Sequence, residues 1–393
     1  MARIKRPRYV CFFSEDFPFL DIDQLLRGRL EQIAGRQLCA FSILRGETVE
    51  LSPDELELVL ATPSDEWVEA GDEERSRSLA RRGVLLVDDA DGELAELRRR
   101  DERLTELNWN LESAVYHFAA RWRGVDLREG AADLPPPGAD AVRAFVDAFG
   151  MPPPAFRSLG GDRLELPAAE RDGQLYDALM RRKTTRSFDP QRPLPLGDLA
   201  AVLRYVFGYH GYARLFGEIT TLKRTSPSAG GFHAVEAYPL LLRVDGVAPG
   251  LYRYDGRDHV LERLAPVAVS EGRELAAQFV CGQTYFADAH ALVVLAVRFE
   301  RAFWKYRDHQ KALAAVLMDA AHLSQTLYLV CTDLGLGAFV TAAVNNADID
   351  ERLGLDGYGE GAIAVCGFGV PAAERSPFDP VFEPPGGLGE TPR

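Results

Sequence analysis

An α+β fold is predicted for this chain, with a central, mostly antiparallel sheet and helices around it. Three observations lead there. From about Ala168, segments of helical period (Leu175–Arg182 and Leu199–Phe207) alternate with apolar runs of strand length: Tyr238–Val244, Gly250–Tyr254, His259–Leu264, Ala291–Phe299 and Ala362–Gly367. Asp255-Gly256 joins two of those runs as a hairpin turn, which makes that pairing antiparallel. Finally, the Gly-x-Gly sequences in Leu334–Ala338 and Gly367–Gly369 do not open a helix after a strand, so a parallel dinucleotide-binding sheet is not supported.

The stretch from Phe303 to Gly337 organises this part of the chain. Lys305 and Tyr306 stand side by side near its start. Beyond them Leu313, Val316, Leu317, Ala320, Leu323, Leu327 and Val330 make a helix apolar on nearly every face, which predicts burial on more than one side and sharing across a subunit interface. Its length suits a membrane span, but Asp319, His322, Gln325 and Asp333 would be costly in lipid, so the helix is assigned to a soluble core.

Residues 1–130 read as a small α+β unit. Tyr9–Phe13, Leu38–Leu44 and Gly83–Val87 are strand-like, and Arg75–Arg82 is helical. Leu51–Leu60 is a helix whose Ser52 and Glu55 form a capping box. Asn108–Arg123 has helical period through Leu111, Val115, Phe118 and Trp122, with His117 packed inside it. Residues 131–167 carry two triple-proline runs, Pro135–Pro137 and Pro152–Pro154, the composition of a linker or wrapping arm. Residues 168–393 form the third region, with an extended Pro- and Gly-rich end from Phe378.

The 393 residues include 45 basic and 59 acidic side chains, a net charge of −14. Such a field repels nucleic acid and anionic membranes, so any anion site must be built locally from clustered arginine. Cys11, Cys39, Cys281, Cys331 and Cys366 are scattered and lack metal-ligand spacing. No metal site or disulfide framework is expected, and free thiols point to a reducing compartment. The basic N-terminus has too short an apolar run for a signal peptide, so a cytoplasmic location is expected.

Three segments carry candidate chemistry. In the extended run after Arg181, alternate residues share a face, so Arg182, Thr184 and Arg186 point the same way. Two guanidiniums and a hydroxyl suit a phosphate monoester; a solvated basic patch is the alternative. Ser226–His233 is a small-residue loop that lets backbone approach a planar or anionic ligand, or is an ordinary turn. Lys305-Tyr306 supplies an amine able to take a proton from carbon, with a phenol beside it to relay the proton, or else an exposed pair at a helix start.

Jointly, RRKTTRSF, SPSAGGFHAVEAYPLLL, GLYRYD, the FWKY…AAHLSQTLYL helix and LGLGAFV resemble, in order and spacing, the SagB-type dehydrogenases. These are nitroreductase-fold flavoproteins of ribosomal peptide maturation. The likeness covers about Leu175–Gly369 and is strongest to the peptide maturation dehydrogenase branch. It implies an FMN cofactor, with Arg182, Thr184 and Arg186 on its phosphate and ribityl chain. Ser228, Ala229 and Gly230 would line the ring and ribityl chain, Ala342 or Ala343 would offer a backbone N–H to the ring edge, and Arg375 would be a second phosphate cation. It makes Lys305 and Tyr306 the catalytic pair in oxidation of thiazoline or oxazoline rings to azoles. It also implies a homodimer, a precursor peptide as substrate, and association with a cyclodehydratase complex. Lys183, Ala234, His309 and Ala342 depart from residues common in that family (Arg, Pro, Arg and Gly). Separately, Cys39–Asp89, ending in LARRGVLLVDD, resembles the winged-helix fold of PqqD-like domains that hold a precursor's leader. An NAD(P)H-dependent nitro or enone reductase, and a non-catalytic peptide-binding subunit, are the alternative functions.

Overall fold

The computed structural model describes residues 2–20, 32–89, 91–128, 171–215 and 217–374, with single residues and short runs among 143–167 and 376–382. Most of the proline-rich stretch, with Pro135–Pro137 and Pro154, lies outside the described residues, as does nearly all of Phe378–Arg393. The chain divides into two compact units. The first comprises Met1–Arg121, Arg298–Ala315 and Asp356–Glu360; the second comprises Trp122–Val297, Val316–Leu355 and Gly361–Arg393.

In the first unit Arg3–Lys5 is the middle strand of a three-stranded antiparallel sheet, between Val68–Glu69 and Leu86–Val87. Val10–Leu20 and Gln32–Ser42 pair antiparallel along their whole eleven-residue lengths, and Glu47–Leu51 joins the second of them. Helices follow at Pro53–Ala61, Glu73–Arg81, Gly92–Glu106 and Leu111–Ala119. The Ser52–Glu55 capping box is present as expected, with both reciprocal hydrogen bonds made. Ile4, Val10, Ala40, Val59, Leu79 and Leu85 close the core between these elements.

Two expected elements are shorter. The strand expected at Gly83–Val87 is confined to Leu86–Val87, because the N–H groups of Gly83 and Val84 fold back onto the Ala80 and Leu79 carbonyls and finish the preceding helix. The helix expected over Asn108–Arg123 covers Leu111–Ala119 alone. Asn110 accepts from the Ser113 N–H and caps it, and Asn108 has φ +59°. The charged helix Gly92–Glu106 was not anticipated; its buried Leu97 and Leu104 are nearly hidden among arginines and glutamates.

The second unit is built on a six-stranded sheet in the order Val260–Pro266, Gly250–Asp255, Val235–Leu241, Ala291–Arg298, Glu360–Gly369, Gly337–Thr341. Val235–Leu241 runs antiparallel to Ala291–Arg298 and to Gly250–Asp255, and Gly337–Thr341 antiparallel to Glu360–Gly369. The two central strands are buried on both faces, which is why Ala291–Arg298 reads as a nearly continuous apolar run, while Val235–Leu241 also buries Glu236. Helices Gln174–Arg181, Leu196–Phe207, Val269–Phe279 and Asn346–Leu353 belong to this unit, and so does most of Ala312–Asp333. Gly211–Leu215 and Ile219–Lys223 add a separate two-stranded arm.

Ala312–Asp333 is long and apolar enough to cross a membrane by length and composition. Leu313, Val316, Ala320, Leu323 and Leu327 are buried, whereas Leu317 and Met318 are 37% and 61% exposed. The expected burial on several sides is therefore not met within one chain: an apolar stripe stays open to solvent.

Trp109, fully buried in the first unit, lies 5.3 Å from His117 between ring centroids, and Phe118 and Phe299 each lie 4.8 Å from the same imidazole. Burial, and secondarily the positive charge of Arg121, push His117 down from 6.5 to about 3, against a hydrogen bond to the Gly357 carbonyl. The folded imidazole is thus neutral where the unfolded one is protonated. Stability is complete above about pH 6.5 and falls as pH drops from there towards about 3, by about 1.4 kcal/mol per pH unit from this residue. In urea unfolding from pH 7 down to about 5.5, a window that straddles the unfolded value, His117→Asn should lose about 1 kcal/mol less in total than the unsubstituted protein.

Candidate functional site

Arg182 ends the helix Gln174–Arg181, and the chain leaves it extended. Thr184 forms a parallel bridge with Ala338, and the Thr185 N–H donates to the Ala338 carbonyl at 2.8 Å. The approach is tight, since a Cβ on Gly337 would sit 2.6 Å from Thr185 Cγ2. Thr185 is buried, Lys183 is exposed, and Arg182, Thr184 and Arg186, expected on one face, are half-buried.

Tyr328, on the long apolar helix, gathers two of those three. Its hydroxyl lies 3.0 Å from Thr184 Oγ1 and accepts the Val340 N–H at 3.2 Å, and the Arg182 guanidinium sits 5.3 Å from its ring centroid. Burial raises the phenol above its ordinary value, opposed by these hydrogen bonds, so it stays protonated at neutral pH. Either hydroxyl can be the donor between Tyr328 and Thr184. Arg186 makes a 3.6 Å ion pair with Asp379, whose side chain is 8% exposed. Arg375 lies outside the described residues.

The small-residue loop is held to the same helix one stretch earlier. The Ser228 hydroxyl and the Ala229 N–H donate to the two carboxylate oxygens of Asp319, at 2.5 and 2.9 Å. Ser228 Oγ accepts the His233 N–H at 2.9 Å, and Ser226 Oγ lies 2.6 Å from Thr326 Oγ1. Gly230 and Gly231, at φ +64° and +70°, let the loop turn back on itself within three residues. The polar groups of Ser228 and Ala229 are therefore engaged by Asp319. What this loop can offer a planar ligand is the side-chain-free backbone at Gly230.

Thr341–Ala343 is fixed by Gln283, whose Nε2 donates to Thr341 Oγ1 and to the Ala343 carbonyl, each at 3.1 Å. The Ala343 N–H already donates to Thr341 Oγ1 at 3.2 Å, while Ala342 is exposed at the turn. Of the two backbone donors expected here, Ala342 is the better placed to meet a ligand.

Lys305 and Tyr306 belong to the first unit, at the end of the short helix Phe299–Lys305. Lys305 is exposed, with its Nζ 5.4 Å from the Tyr306 ring centroid, and Tyr306 is half-buried. Among the described residues no cluster of His, Cys, Asp or Glu could hold a metal ion. A cavity of about 390 Å³ in the second unit is lined by Leu175, Ala178, Tyr205, Leu329 and Val330 among others, and by none of the expected site residues.

Asp319, Tyr328, Thr326 and Gln283 escaped sequence reasoning. Their signal was polarity inside an otherwise apolar helix or next to a strand.

The Nitroreductase family description matches residues 179–370. A nitroreductase-type protein of Methanocaldococcus jannaschii is 30% identical over 199 residues, 50% of this chain and 93% of that protein. Among solved structures, a nitroreductase-type protein of Ralstonia eutropha is 27% identical, covering 54% of this chain and 89% of the other at a TM-score of 0.40. A chain of the E. coli microcin synthetase McbBCD complex with truncated pro-MccB17 bound is 18% identical, covering 71% and 98%, at a TM-score of 0.49. The Vibrio harveyi NADPH:FMN oxidoreductase complexed with NAD+ is 16% identical, covering 54% and 73%, at a TM-score of 0.36. With a relative matched over nearly its whole length and the family span falling on the sheet, the long helix and both loop anchors, the chain belongs to the nitroreductase family.

Proposed function

We propose that this oxidoreductase is an FMN-dependent dehydrogenase of ribosomal peptide maturation, oxidising thiazoline or oxazoline rings of a precursor peptide to azoles. The observation that carries the reading is the first unit. It is built mainly from residues before the family span at 179–370, and it includes Lys305 and Tyr306. A free-standing reductase of small molecules has no need of such a unit or of that pair.

The donor set fits FMN. Arg182 and Arg186 offer charge-assisted bonds to a phosphate, Thr184 a hydroxyl fixed beside Tyr328, and Gly230 a surface without side chain. Bound FMN would supply the redox chemistry, taking up the two electrons and one hydrogen lost when the ring becomes aromatic. Lys305 would take the other hydrogen as a proton from ring carbon, and the Tyr306 phenol would pass it on. The winged-helix-like part of the first unit would hold the precursor's leader, and a cyclodehydratase would supply the azoline.

A homodimer is part of the same reading. Leu317 and Met318 on the long helix, and Leu175 and Met180 on the helix before Arg182, are exposed apolar side chains of the kind a second copy would cover. The M. jannaschii relative favours a second reading, an NAD(P)H-dependent reductase of nitro or enone compounds on the same FMN site.

Three measurements test this. Arg186→Gln should raise the Kd for FMN about 10- to 100-fold in a fluorescence titration, the worth of one charge-assisted hydrogen bond; unchanged binding removes Arg186 from the site. Lys305→Ala should stay yellow and still reduce a nitroaromatic with NADPH if the fold permits it, while losing oxidation of a thiazoline peptide followed by its two-mass-unit loss. Survival of that oxidation would mean the base lies elsewhere, and a chain active on the nitroaromatic alone would favour the reductase. Met318→Glu should convert a dimer to a monomer in sedimentation, since it sets a charge in the middle of the apolar stripe.

A further inference from the structure

The Lys305–Tyr306 pair sits in a short, exposed stretch that has little to hold it by itself. Phe299–Lys305 has seven residues, under two turns, and a helix of that length is marginal without packing. Residues 304–311 are exposed or half-buried, and Asp308 takes φ +51°. Its position must therefore come from what it packs against within the first unit.

Two kinds of contact provide it, one on each side of the pair. Before it, Phe299 and Phe303 both pack on Trp109, each with centroids 4.7 Å apart, the Phe303 ring perpendicular to the indole. Trp109 is itself pinned: its Nε1–H donates to the Tyr358 carbonyl at 3.1 Å, and its carbonyl accepts the Tyr9 hydroxyl at 3.0 Å. After the pair, the contacts are to backbone. The Asp308 N–H donates to the Asn108 carbonyl at 3.1 Å, and the Asn110 Nδ2 donates to the His309 carbonyl at 2.6 Å. The Gln310 Nε2 adds a 3.2 Å bond to Glu112. Three consecutive residues, Asn108, Trp109 and Asn110, thus grip the segment upstream and downstream of Lys305 and Tyr306.

We infer that the Asn108–Asn110 turn is the seat of the Lys305–Tyr306 pair, with Trp109 and Asn110 as its positioning residues. The N-terminal region then serves the chemistry directly, besides any hold on a peptide. Asn110 does two jobs with its two side-chain atoms. Its Oδ1 caps Leu111–Ala119 by accepting the Ser113 N–H at 2.7 Å, and its Nδ2 holds His309. Serine and aspartate cap a helix about as well as asparagine but cannot donate from that position to the His309 carbonyl. The catalytic consequence rests on the function proposed above; the seat itself does not.

The test uses the full-length FMN-loaded protein carrying Asn110→Ser, with Asn110→Asp as a second variant that also sets a carboxylate against the His309 carbonyl. Hydrogen exchange of a peptide covering residues 304–311 should quicken about three- to tenfold in N110S and further in N110D, the loss expected for one buried hydrogen bond to backbone. Peptides from Leu111–Ala119 should exchange as before because the cap is kept. With a synthetic peptide bearing one thiazoline, kcat should fall in the same order while KM and the flavin absorbance spectrum stay put. Unchanged exchange at 304–311 overturns the seat. Faster exchange with normal thiazoline turnover, where Lys305→Ala has none, overturns the positioning role. Faster exchange when neither Lys305→Ala nor N110S affects thiazoline oxidation upholds the seat and sinks the proposed reaction instead.

Discussion

The polar groups of a long apolar helix have to find partners where it is buried, and that requirement shapes the candidate site. Asp319 and Tyr328 sit in Ala312–Asp333 among leucines, valines and alanines. An unpaired carboxylate or phenol there would cost several kcal/mol. Both are satisfied from outside the helix: Asp319 by the Ser228 hydroxyl and Ala229 N–H, Tyr328 by Thr184 and the N–H of Val340 in the edge strand. The helix therefore serves as a ruler. Two segments far apart in sequence, near residues 184 and 228, are fastened to it nine residues apart.

Much of this was legible beforehand, and the reasons for the gaps are physical. Alternation in an extended chain depends on local geometry alone, so Arg182 and Thr184, which meet at Tyr328, could be picked out together from the sequence. The capping box at Ser52 and Glu55 is equally local. The central strand Ala291–Arg298 was clear because both its faces are buried, whereas the short buried strand Gly337–Thr341 was not expected. Asp319 and Tyr328 could not be singled out, because their roles depend on which loop passes over them. The same holds for Lys305: nothing in FWKY says that it shares a compact unit with residues two hundred positions earlier. That follows from Trp109 packing on Phe299 and Phe303, a tertiary contact with no local trace. Gly92–Glu106 was missed for the opposite reason, since its charged surface masks a narrow apolar stripe.

The first unit is assembled from three stretches of chain, Met1–Arg121, Arg298–Ala315 and Asp356–Glu360. It is therefore not a bead that a single crossover in the gene could add to, or strip from, an ancestral reductase. A chain begun after Arg121 would keep Phe299 and Phe303 but lose the indole they pack on, leaving greasy rings in water and a sticky, short-lived product. Its two later stretches lie inside residues 179–370, so the unit is interleaved in sequence with the family region. Grafting it onto another member of the family would require all three pieces to travel together.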